Sequence, residues 1–293
     1  MPAQRTLKFA FLATLIFAFV EFVGGKLSHS LALVADAAHL LTDAGALGLV
    51  FFASWIASQP ATRKMSYGFH RVEILAALVN GAGLITIAVF LVLGALRRFA
   101  SPPEIQVGLM IVVGTAGLLF NLFVAFFLNR LARKSLNVKS AFYHVLSDLL
   151  GSVGVVGAGI VIWKTGWKFA DPVASLLIAL LVVWGAWQIL RQVVVVLLEA
   201  APSRVNIARL ESRLLSLDGV QEICDLHVWT ISSGKEALSV HLGVRADSDA
   251  DALLRKVNEI LSREFGIHHT TIQVEKVHEK PHKPHGTHRP HEF

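Results

Sequence analysis

Two identical spacings carry the chemistry open to this sequence. His39 and Asp43 stand four residues apart, and so do His144 and Asp148. On a helix, residues i and i+4 lie on one face, one turn apart. Each pair therefore presents an imidazole nitrogen beside a carboxylate. Together the pairs make two nitrogens and two oxygens, a set that suits a tetrahedral zinc-like ion. Both pairs sit inside long apolar stretches. A carboxylate near the middle of a bilayer costs about 2.5–3.5 kcal/mol on insertion scales, and groups that expensive usually line an ion, proton or substrate path. A polar residue on such a helix also serves as glue between helices. That role accounts for one His-x-x-x-Asp more readily than for two.

The elements that must hold these pairs are apolar runs. Six of them, at 8–27, 31–58, 73–96, 105–129, 140–163 and 171–198, are long enough to cross a bilayer as helices. With 54% hydrophobic and 16% charged residues among 293, the chain reads as an α-helical membrane protein. The first run continues without a small-residue cleavage site, so it reads as a span rather than a signal peptide. Cys224 is the single cysteine, which rules out an intrachain disulfide.

Charge is uneven along the chain. Residues 1–202 hold 15 Lys and Arg against 8 Asp and Glu, and residues 203–293 hold 12 against 13. The basic excess belongs to the membrane part and its loops and does not point to nucleic acid. Nine loop cations (Arg5, Lys8, Arg63, Lys64, Arg71, Arg130, Arg133, Lys134 and Lys139) fall on the side of the N-terminus, and five (Lys26, Arg97, Arg98, Lys164 and Lys168) on the other. Basic loops stay inside, so both termini are expected in the cytoplasm.

With that topology the second and fifth runs are antiparallel, and their His/Asp pairs can meet at a similar depth. Gly45 and Gly48 in one, and Gly151, Gly154 and Gly157 in the other, offer close approach. Glu21, Asp36, Asn80 and Asn121 are further polar residues in the spans. Each can stand behind the ligands, carry protons or simply join helices.

Composition changes after Pro202. Helical periodicity over 206–217, a strand over 220–231, a turn at 232–235, a returning strand over 237–244, a second amphipathic helix over 248–265 and a strand over 270–277 make the order αββαβ. The expected domain is a small α+β layer, ferredoxin-like in class. The chain thus divides into a transmembrane domain at 1–202, a small domain at 203–277 and a tail at 278–293. The tail repeats histidine (His278, His282, His285, His288, His291) among three prolines. Its composition predicts disorder or loose polyproline II.

These features together resemble the cation diffusion facilitator family, in its zinc-transporting branch. The resemblance covers nearly the whole chain. Tyr67-Gly68-Phe69-His70-Arg71-Val72-Glu73-Ile74-Leu75 is similar to the family's loop into the third span. Leu226-His227-Val228-Trp229 and Thr271-Ile272-Gln273-Val274-Glu275 are similar to its cytoplasmic signatures. The resemblance implies a homodimer in the lipid bilayer, with a cytoplasmic αββαβ domain, that exports divalent metal, Zn²⁺ above all, in exchange for protons. It implies that His39, Asp43, His144 and Asp148 hold the transported ion. It implies further zinc in the cytoplasmic domain, at positions matching Cys224, His227, His241, His268 and Glu275, and a charge pair between Arg71 and Glu199. Two features depart from the family pattern. The loop at 131–139 is short and has no histidine, and Cys224 stands where some members have His.

Strand geometry tests the cytoplasmic set. If 232–236 form a five-residue loop, His227 lies directly across from His241, with Cβ atoms about 4.5–5.5 Å apart. Cys224 has the opposite parity to His227 on a regular strand and joins them only through a bulge, the strand end or a dimer partner. His70 lies in a basic loop, where it either hands metal to the core or sits among lipid headgroups.

Neutral imidazole binds metal and protonated imidazole does not. One site can therefore exchange Zn²⁺ for protons as the protein rocks between two openings. That needs no covalent chemistry, so the expectation is a secondary antiporter and not an enzyme. An intramembrane metalloenzyme would want His-Glu-x-x-His and an open metal position, and neither is evident. A metal sensor would bind zinc without moving it, and a channel would pass it without protons. Short loops point to a bacterial inner membrane.

Overall fold

The computed structural model describes the backbone of residues 2–132, 136–232 and 234–277, and the side chains of residues 12–126, 148–232 and 234–277. The imidazole of His144 and the His-rich tail at 278–293 lie outside the described residues.

Among the described residues six long helices come first: α1 (Pro2–Ser28), α2 (Leu31–Ala57), α3 (Val72–Ala100), α4 (Val107–Ala132), α5 (Leu136–Thr165) and α6 (Ala170–Leu197). They match the six apolar runs to within two residues or overrun them, several by a turn or more. Among the described residues, five segments are long and apolar enough to cross a membrane: α2, α3, α4 to Phe126, α5 from Asp148, and α6. Their outer faces carry large apolar side chains. Phe51, Phe90 and Trp163 are each at least 70% exposed, which is the face that hydrocarbon covers. Small residues fill much of the inside, among them Ala32, Ala35, Ala88, Ala174, Ala179 and Ala186. Lipid tails give helices no hydrophobic reason to associate, so close van der Waals packing through small residues has to hold them.

Two compact units divide the chain. The first holds residues up to Ala53 together with Ala76–Leu190. At one end of it Asp171 gathers three helices. This carboxylate, in the first turn of α6, is fully buried. It accepts from the Ser30 hydroxyl at 2.6 Å and from the backbone N–H of Leu31 and Ala32 at 2.9 and 3.1 Å. It also pairs with the Arg98 guanidinium, in the last turn of α3, at 2.9 Å. The first N–H groups of a helix lack partners within it and carry partial positive charge, so an anion there is stabilising. Ser30 caps the same helix through the N–H of Leu33 at 3.1 Å.

The second unit holds Ser54–Leu75 and the chain from Arg191 onward. Within it α7 (Ile207–Leu215), β1 (Val220–Ser232), β2 (Lys235–Arg245), α8 (Ala250–Phe265) and β3 (His269–Val277) follow in the expected αββαβ order. The sheet order is β1-β2-β3, with the first pair antiparallel and the second parallel. Asn206 caps α7 by accepting from the N–H of Arg209, and Asp249 caps α8 by accepting from those of Asp251 and Ala252. Gly266 ends α8 with φ +67°, a left-handed turn that suits glycine. Leu238, Val240, Leu242 and Val244, every second residue of β2, are fully buried against Leu210 and Leu261 of the helices. The alternate residues of the strands face the other way.

One expectation about this sheet is corrected. The β1–β2 connection is a two-residue turn, with Ser232 paired to Lys235, and not a five-residue loop. His227 therefore stands opposite Ser239, and Cys224 stands opposite His241. The register breaks between Cys224 and His227, where Asp225 takes φ +48°. Two residues there oppose one, which is a β-bulge. Because residues directly opposite one another share a face, the bulge turns Cys224 to the same side as His227 and His241.

A second expectation holds only in part. A Cβ at Gly151 would lie 2.7 Å from Oδ1 of Asp36, so α2 approaches α5 closely there. Cβ atoms at Gly45, Gly48, Gly154 and Gly157 would meet nothing within 4 Å.

Candidate metal centre

His39 and Asp43 fall on α2, one turn apart. Asp148 falls on α5. The His39 ring lies between the two carboxylates: its Nδ1 is 3.4 Å from Oδ2 of Asp43, and its Nε2 is 3.4 Å from Oδ1 of Asp148. One ligand atom from each of the three residues falls within 4.8 Å of the others. A tetrahedral ion with bonds of about 2.0–2.2 Å has ligand–ligand edges of roughly 3.3–3.6 Å. The two separations of 3.4 Å use different nitrogens of the ring, so only one of them serves as an edge of a single ion's tetrahedron, and the other closes as the ring turns onto the ion. Asp148 is buried, and His39 and Asp43 are partly so. His144 shares α5 with Asp148, one turn away, so the helix backbone puts it on the same face.

A polar chain adjoins the three. The Ser152 hydroxyl, one turn beyond Asp148, donates to Oδ2 of buried Asp36 at 2.9 Å, and the Asn121 amide of α4 donates to the Ser152 oxygen at 3.0 Å. Of the polar span residues singled out above, Asp36 and Asn121 are thus joined to each other. Thr42 returns its hydroxyl to the Ala38 carbonyl at 2.7 Å.

In the second unit Cys224, His241 and Glu275 share the sheet face away from the helices. His241 is opposite Cys224 on one side and beside Gln273 on the other. Its Nδ1 lies 3.7 Å from Oε1 of Glu275. Partial burial, and then the charges of Glu222, Asp225 and Glu275, push the Cys224 thiol up. His227 is exposed on the same face, one bulge away. His268, just before β3, is tied to α8, its Nδ1 3.0 Å from the Ser262 hydroxyl. His70 meets Lys235, whose ammonium lies 2.7 Å from its Nε2. A lysine there covers the lone pair that a metal would need. Arg71 and Glu199 form their expected pair, at 2.6 Å.

Asp171, Arg98, Ser30 and Ser152 were not singled out as a set from sequence. A signal existed for one of them: an acid opening an apolar run belongs at a helix N-terminus. Its partners are 73 and 141 residues away, which no local pattern reveals.

Residues 7–198 match the model of the cation efflux transmembrane domain, and residues 202–277 that of the cation efflux protein cytoplasmic domain. The chain belongs to this family, the cation diffusion facilitators. It is similar to the metal cation efflux system protein CzcD of Cupriavidus metallidurans, with 41% identity over 273 residues, 93% of this chain and 86% of that protein. It is similar to the zinc transporter ZitB of Escherichia coli, with 41% identity over 273 residues, 92% and 87% of the two chains. It is also similar to a cadmium, cobalt and zinc/H(+)-K(+) antiporter of Bacillus subtilis, with 36% identity over 277 residues, 93% and 89% of the two.

Proposed function

We propose that this protein exports divalent metal cations, Zn²⁺ foremost, from the cytoplasm in exchange for protons. The observation that carries it is one ligand atom each from His39, Asp43 and Asp148 within 4.8 Å of the others, inside the membrane domain of a cation efflux protein. His144 is the fourth ligand in this reading. A dication there replaces protons on the imidazoles, because only neutral imidazole ligates.

The protein acts as a homodimer in a bacterial inner membrane. α1 is the first of six spans, and both termini are cytoplasmic. The small domain, from about residue 203, is a ferredoxin-like variant without a first strand, with β3 directly beside β2. It binds regulatory zinc through Cys224, His241 and Glu275. Sulfur, nitrogen and oxygen donors on one face suit that ion, with His227 and His268 as further ligands. His70 hands metal onward only when Lys235 leaves it. The tail at 278–293 buffers metal.

The test is zinc flux in liposomes with an imposed pH gradient. Zinc uptake that follows the proton gradient supports the proposal. Zinc bound but not moved would make the protein a sensor, and zinc moved without protons would make it a channel.

A further inference from the structure

Glu21 of α1 is fully buried, and among the described residues neither of its carboxylate oxygens has a hydrogen-bond partner. It has a place made for it. Its Oε1 lies against Gly117 of α4, where any Cβ would collide with it. Phe17, one turn back on α1, stacks on Phe120 of α4 at 4.9 Å and walls the same notch. Among the described residues, the titratable groups whose charge acts on it are both acidic: Asp36 of α2 and Asp148 of α5. Asn121, one turn beyond Gly117 on α4, begins the hydrogen-bonded chain through Ser152 to Asp36.

An ionised carboxylate is expensive in such a place. It is out of water, it has no donor among the described residues, and its described acidic neighbours repel it. A side chain serving as helix glue would have a partner, as Asp36 and Asp171 do. A proton satisfies a lone carboxylate that lacks a donor, and Glu21 is not among the three residues whose ligand atoms converge as a metal site.

We propose that Glu21 is a proton-binding residue of the transporter, a carrier separate from the metal ligands. The step balances simply. Arrival of the dication offsets the charge of Asp148 and lowers the cost of an anionic Glu21; the carboxyl releases one proton to water. Departure of the ion restores the repulsion, and Glu21 takes a proton back. This rests on the reading that the protein exchanges metal for protons.

The experiment uses the full chain in nanodiscs and liposomes. Protons released per Zn²⁺ bound are counted in weak buffer, and zinc uptake is followed against pH. Glu21→Gln should bind the same amount of zinc, release about one proton fewer per ion and lose part of the pH dependence of uptake. Glu21→Asp should restore the lost proton. Wild-type proton release and pH profile in Glu21→Gln would overturn the proposal. If that variant does not fold, Gly117→Ala serves, because it fills the notch and displaces the carboxylate: an altered pH profile supports the role, and an unchanged one overturns it. Uptake by the wild type that ignores the pH gradient would instead overturn the transport reading.

Discussion

Asp171 and Arg98 meet at 2.9 Å, and the same carboxylate closes the first turn of the helix that carries His39 and Asp43. An ion pair buried on one side and shared with a helix N-terminus is costly to break, because the remaining charge keeps its desolvation penalty. Asp171→Ala should destabilise the fold by about 3–5 kcal/mol. Arg98→Lys should lose less, since an ammonium still supplies the charge. Thermal unfolding of the detergent-solubilised protein measures both, and equal stability of Asp171→Ala and wild type would contradict the clamp.

The cargo ligands predict a separation of functions. Removing Asp43 or Asp148 leaves the dication short of one countercharge where charge pairing is worth most. Asp43→Ala and Asp148→Ala should each abolish transport and leave dimerisation and cytoplasmic zinc binding intact. Liposome flux, with zinc titration of the same preparations, checks this. Wild-type uptake by Asp148→Ala would move the transport site elsewhere.

His144→Asp tests the fourth ligand by selectivity rather than loss. It converts two nitrogens and two oxygens to one and three, a harder set. Preference for Zn²⁺ over Mn²⁺ should fall. The pH dependence of flux should shift too, since an imidazole that titrates near neutrality is gone. Competitive flux of Zn²⁺, Cd²⁺ and Mn²⁺ from about pH 6 to 8 reads both.

The cytoplasmic set has a pH sign. Burial and the neighbouring acids raise the Cys224 thiol, so it keeps its proton until metal displaces it. Zinc affinity there should increase as pH rises. Cys224→Ser should flatten the increase, and His241→Ala should weaken binding throughout. Calorimetry on the full chain with the cargo site disabled by Asp148→Ala isolates the effect. A pH-independent affinity in the parent protein would exclude the thiol as a ligand.

Backbone strain at Asp225 offers another measurement. A φ of +48° suits Gly, Asn or Asp and penalises β-branched residues. Asp225→Val should cost about 1–2 kcal/mol and weaken cytoplasmic zinc binding by disturbing the turn of Cys224. Asp225→Gly should preserve both. Chemical denaturation and zinc titration together distinguish strain from loss of a ligand.

The paired His-x-x-x-Asp spacings were legible because helical periodicity turns a spacing into a face. So was the αββαβ order, where capping residues and alternation mark each element. The bulge stood in the sequence only as one of three routes for Cys224, because a slip of two residues in the turn keeps the faces of His227 and His241 unchanged. Strand pairing alone decides between His227 and Cys224 as the neighbour of His241. The glycines show the opposite error. A helix rich in glycine suggests contact along its length, yet only the neighbour helix determines which glycine is used, and only Gly151 meets Asp36. Glu21 stood out as an acid in an apolar run, but its isolation depends on Gly117, 96 positions away.

Gly151 also limits how the two ligand-bearing helices can move. The Asp36 carboxylate occupies the space that a side chain at position 151 of α5 would need, like a key in its slot. Turning α5 by a single residue position, about 100°, would bring a side chain where Gly151 has none or carry Ser152 off the carboxylate it donates to. Sliding along the axis meets a softer barrier, for Gly154 follows one turn on with open space beside it. Motion between α2 and α5 is thereby steered away from twist and toward translation. His39 and Asp148 can then part and rejoin along the helix axis without losing their facing orientation.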